Sequence, residues 1–121
     1  MRFLVFGILF ITGCAQAVEE KKPVVENTIA ISADAEELFR INCSQCHRAN
    51  KDFVAPALKN VRQRWNDHGK LYRFIRNSQE VIKEDAYARE LFKKWNNAYM
   101  QPFPELTDEQ IKAILDYADL Q

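Results

Sequence analysis

The sequence predicts a small all-α protein, and three observations carry that expectation. Only three glycines occur in 121 residues, and no segment alternates apolar and polar residues as a half-buried strand would. Apolar residues recur instead at helical spacing in several separate stretches. The last stretch carries a complete helix-start signature in Thr107 and Gln110, with Leu106 and Ile111 placed to form a hydrophobic staple.

The chain opens with Met1-Arg2 and an unbroken apolar run from Phe3 to Ile11. That run is far short of the roughly 20 residues a bilayer span requires and fits the apolar region of a secretory signal. Ile11-Thr12-Gly13-Cys14 resembles a bacterial lipobox, in which the cysteine is diacylated and becomes the first residue after cleavage. The alternatives are an ordinary signal peptide with Cys14 incidental, or an uncleaved anchor. Residues 1–13 are accordingly expected to be a lipoprotein signal peptide. Residues 14–32, with a charge run, a proline and no helical period, read as a lipidated cysteine followed by a flexible tether. Acyl chains of this kind anchor a protein to a membrane without spanning it.

The remaining segment, 33–121, is expected to be one domain. A first helix is predicted from Ala33 to Cys46, capped by Ser32 or Asp34, with Ala35, Leu38, Phe39, Cys43 and Cys46 on one face. A second runs from Lys70 to Arg76 with Leu71, Phe74 and Ile75 as its stripe. A third runs from Asp85 to Trp95 with Ala88, Leu91, Phe92 and Trp95 in register. The last follows Thr107 and buries Ile111, Ile114, Leu115 and Ala118. So small a domain needs help with its core.

Cys43-Ser44-Gln45-Cys46-His47 points to that help, because Cys-x-x-Cys-His is the attachment signature of a c-type haem. Thiols one helical turn apart share a face and can add to two vinyl groups on one porphyrin edge; the adjoining imidazole can then reach the iron. A redox dithiol would need a βαβ context, and structural zinc would need four ligands where only His68 and carboxylates remain. Each of the three cysteines thus has a use, Cys14 for lipid and two for haem. Basic and acidic residues balance at 17 each, or 16 against 17 without residues 1–13, so a nucleic-acid partner is not expected.

Apart from the initiator, Met100 is the only methionine. It lies in a proline-stiffened loop outside the helical stripes, where simple core filler is less expected. A thioether there would be a soft, neutral axial ligand favouring ferrous iron.

From about Ala33 to Leu120 the chain resembles the class I cytochromes c. Phe39 stands four residues before the first haem cysteine. Ala55-Pro56-Ala57-Leu58 matches the turn whose proline carbonyl holds the ligand histidine. Met100-Gln101-Pro102-Phe103-Pro104-Glu105-Leu106-Thr107 matches the methionine segment, and Tyr117 would mark the contact of the last helix with the first. The sequence departs from the family at Ala55 and Ala35, where glycines are usual. The resemblance implies a helical domain wrapped around one covalent haem c with its terminal helices crossing. Cys43 and Cys46 would be the attachment sites, His47 and Met100 the axial ligands, and Pro56 the support of His47.

The expected function is electron transfer rather than catalysis. The protein would be a monomer on the periplasmic side of a membrane, exchanging electrons with a respiratory complex, terminal oxidase or reductase. The alternative is a haem enzyme or gas sensor with an open sixth position if Met100 does not ligate. His68 reads as a surface histidine. Trp65, Tyr72, Trp95 and Tyr99 read as core or as lining of the haem pocket.

Overall fold

The structure, a computed structural model, describes residues 34–121. The expected signal peptide, Cys14 and the tether lie outside the described residues. Among the described residues all regular structure is helical, without a strand. Helix α1 covers 34–42; a short 3-10 helix, Val61–Arg64, follows a long loop. Three helices come next in close succession: α2 (His68–Arg76), α3 (Ser78–Glu84) and α4 (Ala86–Lys94). Helix α5 (Asp108–Leu120) closes the fold.

Caps explain most boundaries. The Asp67 carboxylate accepts from the backbone N–H of Gly69 at 2.7 Å and of Lys70 at 3.3 Å, so α2 starts at His68, two residues before the predicted start. Asp85 lies just outside α4, accepting from Ala88 N–H at 3.0 Å, and Trp95 is that helix's C-cap. The capping box of α5 forms as expected, Thr107 accepting from Gln110 N–H at 3.2 Å and the Gln110 side chain accepting from Thr107 N–H at 3.0 Å.

Helix α1 ends earlier than its sequence stripe implied. Regular helix stops at 42, and residues 43–46 form a turn instead of a last helical turn. Asn42 Nδ2 donates to Leu38 O at 3.0 Å and Ser44 Oγ to Arg40 O at 2.7 Å. Side chains that bond backward onto the backbone compete with the helix ladder. The 3-10 helix and α3 were not anticipated. With seven residues and a buried apolar pair in Val81 and Ile82, α3 is too short to display a period.

The core gathers on α5, whose Ile111, Ile114, Leu115 and Ala118 are all buried. Tyr117 meets Phe39 of α1 with ring centroids 5.4 Å apart, so the first and last helices touch through the expected aromatic. Ala35 is buried on α1, its methyl accommodated where a glycine is usual. Arg62 of the 3-10 helix reaches Asp116 at 2.7 Å and Asp119 at 2.5 Å, and Asp119 also accepts from Asn60 N–H. These bonds tie the loop before α2 to the C-terminal helix.

Candidate haem site

The turn after α1 builds the first wall of the site. Ser44 N–H donates to Phe39 O at 3.0 Å and His47 N–H to Cys43 O at 2.9 Å, leaving a loosened turn that carries Cys43, Cys46 and His47. Arg48 Nη1 satisfies two carbonyls of this turn, donating to Ser44 O and, at 2.9 Å, to His47 O. Cys43 and His47 are buried and Cys46 is exposed, so the face shared by the two thiols is only partly enclosed by protein. Burial pushes the Cys43 thiol up to about 11, opposite to the lowered value a dithiol nucleophile needs. No three His, Cys, Asp or Glu side chains come together to hold a metal ion among the described residues, so the donor set for structural zinc is missing.

The loop that follows folds back to support the histidine. Ala55 N–H donates to Cys46 O at 3.0 Å, and Leu58 and Lys59 donate to Arg48 O and Ala49 O. Asp52 accepts from Ala57 N–H at 2.8 Å. Together they place the Pro56 carbonyl 2.7 Å from His47 Nδ1. A carbonyl only accepts, so Nδ1 carries the proton and the Nε2 lone pair is the free one. Burial lowers the pKa of His47, partly offset by this bond, which favours the neutral imidazole. Residues with positive φ among those described are Asn60, Asn96 and Asn97; Ala55 is not one of them, so its backbone needs no glycine.

The opposite wall comes from the end of α4. Asn96 and Asn97 both take φ 57°, and Asn97 N–H returns to Phe92 O at 2.9 Å, closing the helix with a Schellman-type bond. Asparagine tolerates the left-handed region better than most residues, and the reversal brings Met100 back onto the helical body. Ser78 Oγ donates to the Met100 carbonyl at 3.0 Å.

Between these walls lies a cleft of about 250 Å³ lined by Cys43, Cys46, His47, Pro56 and Met100. Every site residue expected within the described range therefore borders one space. An inner cavity of about 70 Å³ shares Cys43, His47, Pro56 and Met100 with it and runs to Leu71, Ile111 and Leu115 in the core. Apolar walls with a few convergent polar groups are what a large planar cofactor requires. Trp95 provides an independent test of fit: its indole Nε1 is buried with no protein acceptor, a costly state that a carboxylate at the cleft would relieve. The residues fit a haem, whose propionates supply such acceptors. Trp65 lines the inner cavity and Tyr99 the outer cleft, while Tyr72 lines neither; His68 is exposed and away from both.

The family model described as Cytochrome c matches residues 32–118. The chain belongs to the cytochrome c family. It is similar in structure to the cytochrome c from Rhodothermus marinus, at 25% identity and a TM-score of 0.63, over 87% of this chain and 88% of that one. It is also similar to an engineered Rhodothermus marinus cytochrome c, at 27% identity and a TM-score of 0.60, over 76% of this chain and 77% of the other. The same engineered protein bound to a carbene intermediate matches with a TM-score of 0.58 at 27% identity, over the same shares. No curated protein matches the chain. The protein is thus a class I cytochrome c with a haem-binding electron-transfer fold, and its cofactor is covalently attached haem c. Among the described residues, no helix of this cytochrome is long and apolar enough to cross a membrane.

Some site residues lie beyond what local sequence signals could reveal. Phe74, Leu91 and Phe103 line both spaces, and Ser78 and Arg48 hold the backbone on either wall. Periodicity marked Phe74 and Leu91 as core, and nothing local distinguishes a core wall from a cofactor wall.

Proposed function

We propose that this cytochrome c is an electron carrier whose haem is joined to Cys43 and Cys46 and ligated by His47 and Met100. The observation that carries this reading is the convergence of all four residues, with Pro56, on one cleft. Haem iron supplies the one-electron couple. The protein's residues do the rest. Pro56 holds the His47 Nδ1 proton, which fixes the ring and raises the basicity of Nε2. Met100 offers a neutral thioether that favours the reduced state, and Leu71, Phe74, Ile111 and Leu115 exclude water. With His47 and Met100 both holding the iron, no position would be left for a substrate, which favours a carrier over an enzyme.

In the same reading, Cys14 is lipidated and tethers the domain to the periplasmic face of a membrane. There it would meet a respiratory complex, terminal oxidase or reductase through weak docking. A second reading, a haem with an open sixth position, draws on the engineered relative that holds a carbene intermediate. The ferric spectrum separates the two. The carrier requires a far-red methionine–iron charge-transfer band that is lost in Met100→Ala; a high-spin ferric spectrum in the unaltered protein would support the open site. Radiolabelled palmitate incorporated by the unaltered chain and not by Cys14→Ala tests the anchor.

A further inference from the structure

Met100 lies in a segment, 98–107, with no helix or strand of its own, and its immediate neighbours Ala98, Tyr99 and Gln101 are exposed. Something else must hold it in place. The junction between α2 and α3 does so, since Asn77 is both the C-cap of one helix and the N-cap of the next. Arg76 O accepts from Phe103 N–H at 3.1 Å, Arg76 Nε donates to Leu106 O at 2.8 Å, and its guanidinium pairs with Asp108. Ser78 Oγ donates to Met100 O. Arg76 and Ser78 therefore hold the segment at Met100, Phe103 and Leu106, and Arg76 also holds its exit into α5 at Asp108.

Ser78 differs from the other contacts. It is 1% exposed, one of two buried polar side chains among the described residues, the other being His47. It is the first residue of α3, one past the N-cap Asn77, and its hydroxyl reaches across to the segment. The Arg76 contacts and the two prolines fix 102–108; only the Ser78 bond acts at Met100 itself.

We propose that Ser78 is the positioning residue that sets how firmly Met100 holds its place against competing ligands. This rests on Met100 being the axial ligand. Losing the hydroxyl leaves the Met100 carbonyl without its donor while Phe103 and Leu106 stay anchored, so the effect is confined to the residue that bears the thioether. Ser78→Thr keeps the donor and Ser78→Ala removes it.

The test titrates ferric holoprotein with imidazole, which competes with a methionine for the sixth position, and follows the charge-transfer band. Ser78→Ala should bind imidazole roughly five- to tenfold more tightly, the worth of one net hydrogen bond, with a weakened band before any imidazole is added. Ser78→Thr should return the affinity toward that of the unaltered protein. Asp116→Ala, which loses ion pairs to Arg62 and Lys112 away from the cleft, controls for general destabilisation and should leave the affinity unchanged. An affinity in Ser78→Ala within about twofold of the unaltered protein overturns the proposal, as does an equal shift in Asp116→Ala. An unaltered protein without the charge-transfer band would instead remove Met100 from the iron, a failure of the ligand assignment rather than of the positioning role.

Discussion

Single residues do distinct work here, and two of them give measurable handles. Thr107 satisfies an N–H that would otherwise be orphaned at the start of α5, so Thr107→Ala should lower stability by about 1 kcal/mol, read from urea midpoints at constant slope. Asp85 accepts from Ala88 N–H and pairs with Lys70 at 3.0 Å, and these contacts, the backbone bond first, hold its carboxyl below the ordinary aspartate value. A depressed carboxylate contributes stability that is present above its unfolded pKa, about 3.9, and is lost as pH falls through the folded value. Thermal melts should therefore lose stability below about pH 4, and Asp85→Asn should lose less over the same interval. An unchanged acid limb in Asp85→Asn would contradict this assignment. At this scale the sequence was informative wherever chemistry is local. Cys43, Cys46 and His47 are spaced by one turn, and Thr107 and Gln110 by one capping box. Ser78 and Arg76 were silent because their partners stand more than twenty residues away and follow no spacing rule.

Elements were legible in proportion to their length and caps. Helix α5 has 13 residues with a capping box and a four-residue buried stripe, and it formed where its signals placed it. Helix α3, at seven residues, is stabilised by tertiary burial of Val81 and Ile82 rather than by any pattern of its own. Helix α1 stops short of its apolar spacing, which continues to Cys46, because Asn42 and Ser44 compete for the backbone. The burial makes a prediction. Leu115 is 1% exposed at the centre of α5, and Leu115→Ala should cost about 2–5 kcal/mol in chemical denaturation. A loss under about 1 kcal/mol would mean that the cavity collapses or that α5 is not the spine of the core.

The whole molecule is organised around a space rather than a solid centre. Cleft and inner cavity together reach from the exposed Cys46 to Leu115 deep in α5, so the apolar faces of α2, α4 and α5 meet partly across it. A chain denied its cofactor has to leave those faces wet or collapse them. Cys43→Ala/Cys46→Ala protein, unable to retain haem covalently, should show reduced helical ellipticity, bind a hydrophobic dye and melt without a sharp transition. Cooperative melting with full ellipticity would show that the helices pack without the cofactor. The resemblance to a known family anticipated this architecture because it encodes which residues surround the haem; composition and periodicity alone supplied only the helices.

The two tryptophans turn that same space into an optical gauge. Trp65 borders the inner cavity and Trp95 the outer cleft, and the chain has no others. Indole emission overlaps porphyrin absorption, so both fluorophores sit where energy transfer to haem extinguishes them. The folded protein should be nearly dark on ultraviolet excitation and brighten as the walls separate. Without any introduced dye, the summed emission intensity then reports how far the walls stand from the haem.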